Sequence, residues 1–162
     1  MNKVYTLTSA LTCNSSGQKY DAIAARATEK ELKQSADLFD FDFLGLCKDY
    51  IVYKLFIDYK PDVIQGLVGF RPTPGILECA NMETSHFNKR GKPLYNGAGK
   101  ALVALCCKIS LDHSMDGYIY FDAKNKLIPY YERMGAKSMF GIRMAIESAS
   151  AEKLVECYFK NA

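Results

Sequence analysis

The sixteen residues from 94 to 109, LYNGAGKALVALCCKI, constrain this chain more than any others: a loop with two glycines runs straight into a helix apolar on nearly every face. A helix of that composition has to be buried on all sides. Gly97 and Gly99, within Asn96, Gly97, Ala98, Gly99, Lys100 and Ala101, permit positive φ and let a ligand approach with no Cβ in the way. The first turn of the helix leaves N–H groups unpaired at the positive end of the dipole, a natural seat for phosphate. Charge agrees with this. From residue 84 to 111 there is no Asp or Glu, whereas Lys89, Arg90, Lys92, Lys100 and Lys108 are all present. We read that excess as the footprint of a phosphate-bearing ligand, the alternative being a solvated basic loop.

Two familiar phosphate loops fail against these residues. The Walker pattern needs Gly where Leu94 stands and Ser or Thr where Ala101 stands. The dinucleotide fingerprint needs Gly or Ala at the position of Leu102.

A chain of 162 residues, 49% apolar and 24% charged, suits one globular domain around a single core. The net charge of +3 is too small to argue for nucleic acid. Six cysteines show neither a C-x-x-C pair nor a His at zinc-finger spacing, so no metal is expected. Cys106 and Cys107 lie inside the apolar helix and read as small hydrophobes, which suits a reducing, cytoplasmic setting. The start, MNKVYTLTSALTC, is too polar for a signal sequence, and no run approaches the ~20 apolar residues of a membrane span. No membrane partner is expected.

Residues 4 to 9 alternate as a strand, 14 to 17 form a turn, and 20 to 27 read as the first strand of the main sheet. Thr28 and Glu31 form a capping box, followed by Leu32, Ala36 and Phe39 at helical spacing, with a second short helix ending near Gly45. Residues 50 to 59, 63 to 70 and 76 to 84 read as three strands of an antiparallel meander, broken by Lys60-Pro61-Asp62 and by a turn over residues 71 to 75. A loop over 85 to 94, the organising helix and a buried strand at 117 to 121 then make a right-handed βαβ unit. Residues 125 to 134 read as a helix closed by Gly135, with Pro129 forcing either a late start or a bend. Residues 137 to 146 read as one last strand, and Ala151, Leu154, Val155 and Tyr158 mark a final amphipathic helix. The fold class is α+β with a mixed central sheet.

Asn96-x-x-Gly99-x-Ala101 resembles the Gln/Arg-x-x-Gly-x-Gly/Ala loop with which the GNAT superfamily of N-acetyltransferases holds the pyrophosphate of acetyl-CoA. Asn in the first position is a departure. Pro129-Tyr130-Tyr131-Glu132-Arg133-Met134-Gly135-Ala136 is similar to the superfamily's Phe-Tyr-Glu-Lys-Leu-Gly-Phe signature, and the order of elements matches. The motifs cover about residues 82 to 136 and look most like a small bacterial branch.

The resemblance implies a single GNAT-like domain over residues 1 to 162, with an extra strand and loop in residues 1 to 18, that transfers acetyl from acetyl-CoA to a primary amine without metal or covalent intermediate. The acceptor would be a small-molecule or peptide amine, and the protein a monomer or homodimer. An alkyl amine is protonated at neutral pH in all but about one molecule in two thousand, so a group must accept its proton. Glu83 and Glu78, on the strand before the loop, are the candidates, Glu83 preferred as nearer the loop; a regular strand points only one of them at the site. Tyr131 matches the position that donates a proton to the departing thiolate, whereas Tyr130 reads as core. Backbone N–H groups of Met82, Thr84 and Ser85 would supply oxyanion and cofactor contacts if the strand diverges there. The Asn that often touches the pantetheine arm is replaced by Lys124, with Asn125 adjacent. His86 can relay protons or stay solvated, and His113 is expected to cap helix carbonyls. A non-catalytic acyl-CoA-binding module on the same fold is the alternative reading.

Overall fold

The computed structural model describes residues 1–89, 91 and 93–159. Its elements in chain order are β1 (Tyr5–Cys13), β2 (Lys19–Arg26), α1 (Glu29–Gln34), α2 (Phe43–Leu46), β3 (Ile51–Ile57), β4 (Lys60–Thr73), β5 (Ile76–Thr84), β6 (Tyr95–Asn96), α3 (Ala98–Asp112), β7 (Ile119–Asp122), α4 (Ile128–Glu132), β8 (Lys137–Phe140), β9 (Arg143–Ile146) and α5 (Ser148–Tyr158). The strands form one mixed sheet in the order β6-β1-β2-β3-β4-β5-β7-β9-β8. Only β5 and β7, joined through α3, run parallel.

Two apolar layers sandwich the sheet. On one face α3 and α5 pack against Leu7, Tyr53, Phe70, Leu77 and Ile119. Ten of the fifteen residues of α3 are buried, as its all-round apolar sequence requires, and each large aliphatic chain withdrawn from water contributes about 1.5–3 kcal/mol. On the other face Leu32, Phe39 and Phe43 of the α1–α2 segment cover Val52, Ile64 and Leu67. The Thr28 capping box forms in full: Thr28 Oγ1 accepts the Glu31 N–H at 3.1 Å and Glu31 Oε1 accepts the Thr28 N–H at 3.0 Å. His113 Nδ1 lies 2.8 Å from the Ile109 carbonyl, the expected C-terminal contact of α3.

Several expectations change in three dimensions. Lys60-Pro61-Asp62 does not break the meander but opens β4, and Arg71 to Thr73 close it, because the turns are confined to residues 58–59 and 74–75. The helical spacing from Leu32 to Phe39 is carried only to Gln34 as α-helix, then as a 3-10 turn over Ala36–Leu38. The last strand is a hairpin, β8 and β9, turned at Gly141, whose φ of 54° sits in the left-handed region. Pro129 lies in the first turn of α4, where no helical N–H is needed, so the helix starts late and runs without a bend. All six cysteines are free, and among the described residues no helix is long and apolar enough to cross a membrane.

Burial pushes the phenols of Tyr131 and Tyr158 up to about 12. Unfolded phenols ionise near 10, so the unfolded chain releases these protons first. Stability is expected to be intact below pH 10 and to fall as pH rises from 10 towards 12. Urea unfolding at pH 8, 10 and 11 measures this, and Tyr158→Phe should flatten the decline.

Candidate active site

Gly97 joins β6 to α3 with φ of 104°, and a Cβ there would lie 2.5 Å from the Ala10 carbonyl oxygen. Glycine is therefore required twice over, by backbone conformation and by the close approach of β1. The loop hangs from β1: Thr12 is paired with Asn96, and the Asn14 N–H donates to the Leu94 carbonyl at 2.9 Å. Asn96 Nδ2 donates to Asn14 Oδ1 at 3.0 Å, so its short amide serves as a brace at the position where the resemblance expects Gln or Arg. On the other side the Tyr95 N–H donates to Asn88 Oδ1 and Asn88 Nδ2 donates to Gln65 Oε1, tying the loop to β4. This leaves Gln65 Nε2 without a protein partner, a donor that one buried water would satisfy.

Among the described residues no side chain caps α3. Its first helical bond is the Ala101 N–H to the Gly97 carbonyl at 3.0 Å, leaving the N–H groups of Ala98, Gly99 and Lys100 open. Lys100 makes no ion pair among the described residues. The rest of the basic footprint divides differently than the sequence implied. Lys89 is paired with Glu83 and Asp40, and Lys108 with Asp112, two turns from Gly99, while Arg90 and Lys92 lie outside the described residues.

Beside this helix start, β5 and β7 part company. They are paired only at Leu77 with Ile119 and Glu78 with Tyr120, and β5 continues to Thr84 without a partner on that side. In the β4–β5 ladder Gly69 faces Asn81 and Phe70 faces Cys79, so Ala80 is an extra, bulged residue. The Ser85 N–H donates to the Gln65 carbonyl at 3.0 Å. Alternation of an antiparallel ladder then turns the N–H groups of Asn81 and Glu83 towards β4 and those of Met82 and Thr84 into the gap. Of the three expected donors, Met82 and Thr84 are open and Ser85 is committed.

The bulge also overturns the parity expectation for the carboxylates. Glu83 stands opposite Leu67 and Glu78 opposite Arg71, so both project from the face covered by α1 and α2. Both are occupied. Glu78 accepts from Tyr50 Oη at 2.8 Å and Arg71 Nε at 2.8 Å; burial works against its charge, but these partners hold its carboxyl below the usual range. Glu83 accepts the N–H groups of Asp40 at 2.8 Å and Phe41 at 3.0 Å and is paired with Lys89. It anchors the loop before α2 to the end of β5. Asp40 in turn takes Lys89 Nζ at 3.1 Å and His86 Nε2 at 2.9 Å. Asp40, Glu83 and His86 bring possible ligand atoms within 4.8 Å of one another, but the Lys89 ammonium already bonds both carboxylates. No signal in the sequence links Asp40 to His86 across 46 positions; the loop reaches it only through folding.

Tyr131 is buried, its ring 4.8 Å from that of Phe121 and 5.2 Å from that of Tyr130. Burial first, then Tyr130 and Cys79, keep it a neutral donor. Its hydroxyl makes no hydrogen bond among the described residues. Tyr130, read as core, instead places its Oη 2.8 Å from where a Gly99 Cβ would be, against the start of α3. Neighbouring residues on a helix point about 100° apart, so one tyrosine of the pair meets α3 and the other the sheet. Lys124 and Asn125 are exposed in the turn after β7. A recess of about 500 Å³ between Lys3, Tyr53 and Asp112 opens at the opposite end of α3 and takes no part in this arrangement.

No family model and no curated protein matches the sequence. Solved structures do. The ribosomal-protein-S18-alanine N-acetyltransferase from Escherichia coli is similar over 77% of this chain and 92% of its own, with 14% identity and a TM-score of 0.59. The aminoglycoside acetyltransferase AAC(6')-Ib, in complex with coenzyme A and kanamycin, is similar over 82% and 98%, with 11% identity and a TM-score of 0.60. A GNAT-family chain from Desulfovibrio desulfuricans is similar over 78% and 99%, with 17% identity and a TM-score of 0.56. The fold is that of the GNAT acetyltransferases.

Glu83→Gln is expected to lose the Lys89 pair and weaken the two loop N–H contacts, lowering stability by about 1–3 kcal/mol. Urea unfolding at pH 7 measures the loss, and an unchanged midpoint would remove Glu83 from its role as anchor.

Proposed function

We propose that this chain is an acetyl-CoA-dependent N-acetyltransferase that passes the acetyl group to a primary amine by direct attack. The observation that carries the reading is the gap between β5 and β7 opening beside an uncapped helix start, with donors aligned along one edge. The residues fit the coenzyme. The N–H groups of Ala98, Gly99 and Lys100 suit a diphosphate, the glycines let the loop pack closely against Ala10 and Tyr130, and the Lys100 ammonium adds charge. Asn96, Gly97 and Ala101 hold that loop in shape. Lys124 and Asn125, exposed in the turn after β7, are polar groups suited to the coenzyme's arm.

When bound, acetyl-CoA supplies an activated acyl carbon. The Met82 and Thr84 N–H groups, unpaired along β5, suit the thioester oxygen and the amide groups of the arm. Tyr131 offers its proton to the departing sulfur; burial keeps that phenol neutral throughout the working pH range. The solved neighbours include one named for a protein alanine and one bound to an aminoglycoside, which supports a small-molecule or peptide amine as the acceptor class proposed here.

One observation favours a non-catalytic acyl-CoA-binding module instead: Glu78 and Glu83, the carboxylates proposed as base, are both held by other groups. Release of free thiol from acetyl-CoA in the presence of a panel of primary amines separates the two readings.

Tyr131→Phe is expected to lower turnover about 10²-fold while coenzyme A still raises the melting temperature. Gly99→Val, made in a Tyr130→Phe background to relieve the contact with Tyr130 Oη, should abolish that thermal shift. Full turnover in the first variant would remove Tyr131 from the chemistry, and a full shift in the second would move the coenzyme elsewhere.

A further inference from the structure

We propose that His86, positioned by Asp40, is the group that takes the proton from the acceptor amine, and that the acceptor carries an apolar body lying in the cavity beside them. This rests on the acetyltransferase reading.

The cavity, about 230 Å³, lies on the sheet face opposite α3. Leu32, Phe39, Phe43 and Leu67 give it apolar walls, and Asp40 stands at its rim. Leu67 is paired directly with Glu83 in the ladder, so the cavity is one strand away from the edge that carries the open N–H groups of Met82 and Thr84. His86 follows Thr84 by two residues, which places its backbone within about 7 Å along the chain. The cavity thus has apolar walls, and the Asp40 carboxylate in its lining holds the His86 imidazole.

That nitrogen follows from the hydrogen bonds. Lys89 and then His86 hold the Asp40 carboxyl below the usual range, so it stays an ionised acceptor. The proton shared at 2.9 Å therefore sits on His86 Nε2, and the Nδ1 lone pair is left over. The His86 side chain is 43% exposed, open enough to meet an amine and return a proton to water. Among the described residues the charged groups facing it are the Asp40 and Glu83 carboxylates and the Lys89 ammonium, which bonds both of them. Glu83, filled by two backbone N–H groups and Lys89, is a poor competitor for the amine's proton. Glu78 faces the same difficulty from Arg71 and Tyr50.

The protons balance. His86 Nδ1 takes one from the ammonium group and later releases it to solvent. The freed lone pair forms the N–C bond to the thioester carbon, and the C–S bond breaks with its electron pair leaving on sulfur. Tyr131 protonates the sulfur, and the second proton lost from nitrogen returns through solvent to the phenolate. The sum is one amide, one thiol and one proton to water.

The test is the pH dependence of kcat/KM for the full chain with n-hexylamine and with ethanolamine. Wild-type protein should favour n-hexylamine about tenfold. His86→Gln keeps a side-chain amide near Asp40 but has no basic nitrogen; it should lose about 10²-fold in kcat at pH 7, with the deficit shrinking as pH approaches 10 and the amine arrives already neutral. Added imidazole should restore part of the loss in His86→Ala. Asp40→Asn should lower kcat more than it raises KM and shift the acidic limb of the profile. A His86→Gln deficit of equal size at pH 7 and pH 10, or no deficit, overturns the assignment, and equal use of the two amines overturns the apolar acceptor. If the wild-type protein releases no thiol with any amine while coenzyme A raises its melting temperature, the acetyltransferase reading itself falls, and His86 with it.

Discussion

Ala80 has no partner in β4, and the bulge it makes bends β5 away from β7 after only two paired residues. Every candidate contact at the site depends on that departure. Had β7 followed β5 to Thr84, the N–H groups of Met82 and Thr84 would be spent on the ladder and no gap would open beside α3. The same extra residue reverses the side-chain alternation between Glu78 and Glu83, so both carboxylates emerge on the face of α1 and α2. One insertion in one strand thus separates the edge that carries the open N–H groups from the face that carries the two carboxylates.

The helix that follows the gap is held from all sides. Its apolar body is buried between the sheet and α5, its start hangs from β1 through the pairing of Thr12 with Asn96, and its end is tied to β1 by the Tyr5 hydroxyl, which donates to Asp112 Oδ2 at 3.2 Å, and to the residues before β1 by the Lys3–Asp112 pair. An uncapped helix start is costly unless water or a ligand satisfies its N–H groups. Here rigid support on three sides keeps those groups in place without a cap. Preorganisation of this kind limits what a bound diphosphate would have to order.

The charges on the face covered by α1 and α2 form a connected set. Lys89 joins Glu83 to Asp40, Glu83 holds the backbone at residues 40 and 41, and Asp40 orients His86. A basic residue that looked like part of a phosphate footprint instead fastens the α1–α2 loop over the end of β5. That loop brings Phe39 and Phe43 over Leu67 and closes one wall of the cavity. Packing and polar contacts reinforce each other there.

Local chemistry made much of this readable in the sequence. Thr28 and Glu31 start a helix because both partners lie within one turn, Leu102 to Cys107 demand burial because no face of their helix is polar, and residues 76 to 84 form a strand by composition alone. The glycine loop and Tyr131 were legible as motifs. The hairpin of β8 and β9 was not, since Gly141 gives only a weak turn signal between two short strands. Nor was the commitment of Ser85, the reach of Tyr130 to Gly99, or the pairing of His86 with Asp40. What the sequence determined by itself is what neighbours along the chain can enforce: helix caps, strand composition, a buried helix and a loop fit for an anion. Tertiary structure alone decided which carboxylates are occupied, which N–H groups stay open and which carboxylate His86 meets, because those depend on a single bulge and on partners brought together from distant parts of the chain, as Asp40 is to Glu83 and His86.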